Sequence, residues 1–310
     1  QLVRLSIPGE GPHGGPKPDP NYGNDIQSFD MITRKDPEAR AGEGEVFLDW
    51  VFSTFTFPDG TEIELRKPSV RIENLNFGPL ADGIMISLRN TQALLGMGYL
   101  EAIPEKDILK NAERQKALGL NGRPNYVWDD FKKKTVMGRF GWKANQPSIK
   151  QQIAAAFLAD IGITSEVYPE QLCTPVQKEC LEALKGSKPE LRPDLFEPIT
   201  FWSQSLDVPA QRNRDTPAFK QGEKLFETAG CAACHVPEMR TGKYPAVPQI
   251  GNKLIRPYTD LLLHDMGPDL ADGRPDLGED HLHLVEDRDG RNRDDRDADH
   301  ELRQGAAGRR

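Results

Sequence analysis

The chemistry in this sequence concentrates at Cys231-Ala-Ala-Cys234-His235. Two thiols three residues apart, followed at once by an imidazole, form the C-x-x-C-H attachment sequence of c-type haems. The spacing has a chemical reason. On one helical turn the two thiols reach the two vinyl groups along a porphyrin edge, and His235 then supplies the proximal imidazole. A zinc half-site would need a second Cys/His pair at knuckle spacing, but the other cysteines, Cys173 and Cys180, are seven apart. A thioredoxin-type pair would follow a strand, whereas the residues before Cys231 predict a helix. Gly222, Leu225, Phe226 and Gly230 recur there at helical spacing, the small and aromatic face that the first helix of a cytochrome c domain presents beside the haem.

Low-spin iron needs a sixth ligand, commonly a methionine. Met239 is only four residues past His235, too close to cross easily to the far face of the haem. Met266, within His264-Asp-Met-Gly-Pro268, is the candidate distal ligand. The competing reading makes Met266 a core or loop residue and leaves the iron open or ligated from elsewhere. His264 is the weaker candidate, because a lone histidine beside an apolar run is more often a hydrogen-bonded structural residue.

The elements that must position these groups follow from pattern. Val46 to Phe57 is aromatic and β-branched, Pro58-Asp-Gly60 turns, and Thr61 to Leu65 alternates with period two. Together they predict a hairpin over about 46–66. Helices are expected from Ile103 to Leu118, from Ser148 to Ile161, from Thr174 to Gly186, from Phe196 to Leu206, and from Thr216 into the haem motif. Ser148 and Gln151 read as a capping box. Ile149, Ile153, Ala156 and Phe157 form one apolar stripe. With 25 Pro and 28 Gly, turns and long loops should be frequent. The expected fold is mainly α with irregular loops and a β-hairpin. A cytochrome-c-like C-terminal domain follows a loop-rich α+β N-terminal region. The expected division is 1–212, then an incomplete haem domain over 213–275, then a charged, disordered, aberrant tail over 276–310.

Charge narrows the function classes. A formal net charge of −8 lacks the basic face of a general nucleic-acid binder. It suits solubility or docking to a basic redox partner. No apolar run approaches a membrane span. The opening Gln1-Leu-Val-Arg-Leu reads like the middle of a strand, as in a mature or truncated product.

Beyond the pentapeptide, several segments resemble one family. Arg139-Phe-Gly-Trp-Lys-Ala-Asn-Gln-Pro-Ser148, with Gln151-Gln152 and Asp160-Ile-Gly-Ile-Thr-Ser165, is similar to the di-haem oxidoreductases, or putative peroxidases, also labelled thiol oxidoreductase-like. These are relatives of the bacterial di-haem cytochrome c peroxidases. Gly230-Cys-Ala-Ala-Cys-His-Val-Pro237, Ile255 to Gly267 and Leu270-Ala-Asp-Gly-Arg-Pro275 resemble it too, as do Leu2-Val-Arg-Leu5 and Pro12 to Pro20. The resemblance covers roughly 1–275. It implies two c-type haems, one visible here and a second whose C-x-x-C-H would lie upstream of Gln1. It also implies family sequence past Pro275 that closes the second haem domain, where this chain carries its charged tail.

The implied activity is that of an exported, periplasmic oxidoreductase that transfers electrons and reduces peroxide. Its donor would be a small redox protein or cytochrome and its substrate hydrogen peroxide. Trp142 could relay electrons between haems, as a tryptophan does in related peroxidases; a core tryptophan is the plain alternative. Cys173 and Cys180 flank an expected helix start and, in an exported protein, suit a disulfide. In a straight helix they would lie about 10 Å apart by rise, so Cys173 would have to fold back from outside it; a buried free pair is the alternative. Two other function classes compete: a mono-haem electron carrier without catalysis, and a scaffold in which haem is structural.

Overall fold

The structure, a computed structural model, describes residues 2–27, 42–183, 186–267 and 270–271. The expected disordered tail, 276–310, lies outside the described residues.

The fold is not mainly α. Helix accounts for 28% and strand for 24%, with six helices and several small antiparallel sheets. The excess of strand comes largely from residues 2–89. Their β-branched and aromatic residues pair across long sequence gaps, which local periodicity does not report. Strand β1 (Leu2–Glu10) pairs antiparallel with β5 (Met85–Arg89), Leu2 opposite Arg89 and Ser6 opposite Met85, and its other edge takes β2 (Pro16–Lys17). Between them in sequence, β3 (Glu45–Thr56) and β4 (Glu62–Glu73) form a hairpin in unbroken register from Glu45↔Glu73 to Thr56↔Glu62. It therefore runs seven residues past the expected end at 66. At its tip Gly60 takes φ +85°, a conformation open to glycine without a Cβ penalty. The hairpin base packs Val46, Val70 and Ile72 against Val3, Leu5, Tyr22 and Ile26.

Helices fill the next stretch. Short α1 (Met97–Glu101) leads to α2 (Glu105–Ala117), which begins after Pro104. Glu105 and Asp107 lie in its first turn, Arg114 and Lys116 in its last, which is the charge order that the helix dipole favours. Ile108 and Gln115, two turns apart, face inward. A hairpin that the sequence reading missed follows, β6 (Tyr126–Asp129) with β7 (Lys134–Met137), its turn held by Asp129 Oδ1 accepting from Phe131 N and Lys132 N.

Helix α3 (Ile149–Ile161) is capped as expected by Ser148 Oγ, which accepts from Gln151 N at 3.2 Å. The reciprocal half of the capping box does not form. Gln151 instead accepts from Asp130 N and donates to Trp128 O, while Glu101 Oε1 accepts from Ile149 N. Tertiary partners outcompete the local one.

Helix α4 is shorter than expected, Lys178–Glu182. Thr174 N donates to the Gln177 side chain and Gln177 N to Thr174 O, a local turn that occupies the bonds a helix start would need. Helix α5 spans Pro193–Ser205 and α6 spans Pro217–Thr228, the latter capped by Thr216.

Two cores hold these elements. Phe196, at 1% exposure, and Ala154 join α5 to α3. Gly98 is needed where α1 meets α5, because a Cβ there would lie 1.9 Å from Gln204 O. The other core packs Ile103, Ile108 and Met137 against Met239 and Leu261, so the segment after the haem motif is fastened onto α2. Each such side chain, fully buried, contributes roughly 1.5–3 kcal/mol. Among the described residues no helix is long and apolar enough to cross a membrane.

Candidate functional site

The approach to Cys231-His235 is set by α6 and its end. Gly230 takes φ +81°, the left-handed conformation that commonly stops a helix, and the chain re-enters a single tight turn. Ala233 N bonds Gly230 O, Cys234 N bonds Cys231 O and His235 N bonds Cys231 O at 2.9 Å. Cys231 and Cys234, at i and i+3, thus share one face of a helical turn. Both thiols are free, Cys231 exposed and Cys234 half-buried.

The imidazole of His235 is oriented by backbone. Its Nδ1 lies 3.0 Å from Tyr258 O. A carbonyl only accepts, so Nδ1 carries the proton and the lone pair of Nε2 is left for a ligand bond. Phe226 of α6 packs edge-on to both His235 and Tyr258. Tyr258 and Leu261 have φ of +49° and +60°, uncommon for bulky residues and costly by about 1 kcal/mol or more each. These two positions shape the loop that brings a carbonyl and a carboxylate to the motif.

Beneath the turn lies a buried polar brace. Arg114 and Gln115, from the last turn of α2, both donate to Ala233 O, at 2.8 and 3.1 Å. Gln115, 0% exposed, also donates to Asp260 Oδ2 at 2.6 Å. His264 Nε2 meets the same oxygen at 2.7 Å, and Asp260 Oδ1 accepts from Leu262 N. Since Asp260 accepts, the neutral His264 carries its proton on Nε2 and presents Nδ1 as an acceptor 3.9 Å from Cys234 Sγ. Burial pushes the Cys234 thiol pKa up, Asp260 adds to the rise, and Arg114 opposes it.

Cys234, Asp260 and His264 place ligand atoms within 4.8 Å of one another, the one such group of three among the described residues. A metal reading is disfavoured by the bonds already made. Both Asp260 oxygens and one His264 nitrogen are committed to protein partners, so the trio acts as a brace. The residues fit haem better: two free thiols on one turn, and beside them a histidine with its tautomer fixed and Nε2 free.

The surroundings also leave room. Helix α6 is strongly amphipathic, yet none of its residues is buried. A Cβ on Gly222 would meet nothing within 4 Å, so the close packing expected at this glycine is not made among the described residues. A cleft of about 720 Å³ runs beside α6, with Phe219, Gly222, Phe226, Pro237 and Tyr258 among its walls. It lies against the residues that touch His235, though neither thiol lines it.

The other residues singled out from sequence fall elsewhere. Met266 is 65% exposed, two residues past His264. Met239 is buried in the core, its sulfur 4.0 Å from Asn111 Nδ2. Trp142 is 52% exposed and donates through Nε1 to Asn90 O at 2.6 Å. Cys173 and Cys180 are bonded to each other, with Cα atoms 5.7 Å apart; Cys173 lies ahead of α4 and Cys180 within it. The sequence reading missed Arg114, Gln115 and Asp260. Of these only Asp260 carried a signal, an acid one helical turn before a histidine; the other two act from more than a hundred residues away.

A family model described as "Di-haem oxidoreductase, putative peroxidase" matches residues 6–283. The match starts slightly later than the sequence resemblance and reaches eight residues past Pro275. No curated protein and no solved structure matches the chain.

Proposed function

We propose, because this chain belongs to the di-haem oxidoreductase, putative peroxidase family, that it is an exported c-type haem oxidoreductase that passes electrons to peroxide. The family implies a haem cofactor, and the finer assignment is to haem c at this motif. Cys231 and Cys234 would hold the group as thioethers, and His235 Nε2 would bind its iron. Haem, when bound, supplies one-electron storage and, at an open iron site, the means to reduce peroxide.

This chain's own residues set the conditions. The Tyr258 carbonyl fixes the His235 tautomer. Arg114 and Gln115 hold the Ala233 carbonyl and so the pitch of the turn. Phe226 and Tyr258 keep one side of the imidazole apolar. Met266, exposed and downstream of the brace, is the distal ligand we assign, since Met239 is committed to the core. Trp142 is the relay we assign, its indole held half-exposed by Asn90. A small redox protein would act as electron donor, and the full complement of two haems would need a second motif beyond this chain's one C-x-x-C-H.

The observation that carries the reading is the His235 Nδ1–Tyr258 contact beside two free thiols on one turn. The chain, expressed with periplasmic cytochrome c maturation, is expected to keep its haem through acid–acetone extraction, and Cys231→Ser with Cys234→Ser to lose it. Freely extracted wild-type haem refutes the assignment. The single motif in this chain favours one alternative, a mono-haem carrier. Oxidation of a reduced donor by peroxide, measured on the holoprotein, separates the two, since a carrier shows none.

A further inference from the structure

We infer that the β3–β4 hairpin is a dimerisation arm, and that two copies of this chain join through the outer edges of their β3 strands. Twelve residues in each strand carry the arm roughly 40 Å. Only its base is packed, against the β1–β5 core. Beyond it Trp50, Val51, Phe52, Phe55 and Phe57 are 42–58% exposed, and they belong to a sheet of two strands alone. An isolated two-stranded hairpin is marginal in water, so an arm this long and apolar calls for a partner.

The two edges are not alike. The β4 edge carries Glu62, Glu64, Arg66, Lys67 and Pro68 over its outer half. Charges and a proline, which offers no N–H, are the devices that keep an edge strand unpaired. The guanidinium of Arg66 also covers Trp50 at 4.6 Å, and that of Arg71 covers Phe47 at 4.7 Å. The β3 edge from Trp50 to Thr56 (Trp-Val-Phe-Ser-Thr-Phe-Thr) has no charge, no proline and no glycine. Among the described residues its outer edge has no pairing partner. A free strand edge of high β-propensity without such guards is a template for another strand.

A second copy is the occupant because this heptad complements itself. Antiparallel pairing about a two-fold axis through Ser53 sets Val51 opposite Phe55 of the other copy, Phe52 opposite Thr54, and Trp50 opposite Thr56. Aromatic residues then face β-branched ones along almost the whole edge, which is a favourable cross-strand choice. Positions that meet have the same parity, so each stays on its own face of the sheet. On one face Ile63 and Phe55 of one arm continue into Val51 of the other, with the two Leu65 side chains across the middle. The product is a four-stranded sheet, β4–β3–β3–β4, an isologous arrangement of the kind expected for a two-fold dimer.

The register makes a sharp test, because only Ser53 meets its own copy. The haem-loaded full chain is measured by sedimentation velocity across the micromolar range. Wild type is expected to sediment as a dimer. Ser53→Lys and Ser53→Glu, each alone, set like charges face to face on the axis and are expected to sediment as monomers with an unchanged haem spectrum. Mixed one to one, they are expected to recover the dimer as a Lys–Glu pair. The mixture guards against misfolding, since two misfolded variants would not rescue each other. A monomeric wild type overturns the inference, as does a dimer that survives both single variants, or two single variants that the mixture does not restore. A wild type that stays monomeric but binds lipid vesicles would show that the arm serves a membrane surface instead.

Discussion

Replacing Gln115 with leucine tests whether the brace beneath the haem motif carries energy. Leucine keeps nearly the same volume at a position 0% exposed, so little cavity term enters. What is lost is one hydrogen bond to Asp260 Oδ2 at 2.6 Å and one to Ala233 O at 3.1 Å. Bonds to a charged acceptor are worth about 1.5–3 kcal/mol net and neutral ones about 0.5–1.5 kcal/mol. Two considerations reduce the sum. Arg114 still donates to Ala233 O, and His264 with Leu262 N still serves Asp260. The buried Gln115 Oε1, which has no partner, disappears as well. The expected loss is therefore about 2 kcal/mol, close to a thirtyfold change in the folding equilibrium. Urea unfolding of the holoprotein, followed by far-UV circular dichroism, should show a lower midpoint with an unchanged slope. The fraction of chains matured with haem should fall too, because the Ala233 carbonyl fixes the turn that presents both thiols. A midpoint equal to wild type would refute the claim that α2 supports the motif energetically. A fall in midpoint with full haem incorporation would confine the brace to stability.

Other outcomes follow from particular groups. Burial lifts the Glu43 carboxyl to about 7 from 4.5, so the folded chain keeps a proton that the unfolded chain has released. Stability should then fall as pH rises from about 4.5 to 7, by ~2 kcal/mol after discounting for partial solvation, and Glu43→Gln should flatten that slope in denaturation at pH 5 and pH 8. Removing the Cys173–Cys180 bond with paired serines should cost roughly 2 kcal/mol, given the short loop it closes, and lower the melting temperature; an unchanged melt argues against the bond in solution. Met266→Ala should remove the near-infrared thioether-to-iron band of the ferric protein while covalent haem remains, and a wild type without the band shows that Met266 is not the ligand.

How much was legible depended on the range of the interactions involved. The C-x-x-C-H pentapeptide, the Ser148 cap and the Pro58-Asp-Gly60 turn each depend on residues within a few positions of one another, so their geometry is written locally. The long hairpin declared itself for the same reason, since its strands are joined by a tight turn. The fold class was misjudged because β1 finds its partner more than eighty residues later, at β5; helical periodicity in the second half was visible and that pairing was not. Helix α4 and the capping box show the same limit at short range. Gln177 and Gln151 had local uses available to them, and their final partners were chosen by what packed nearby. The haem ligands themselves could be read directly. Their support could not: Gln115 and Asp260 are 145 residues apart, and only burial of Ile108, Met239 and Leu261 in one core brings them under the same turn. A buried polar group must be satisfied by whatever the fold sets beside it, and that neighbour is settled by packing, which no single stretch of sequence specifies.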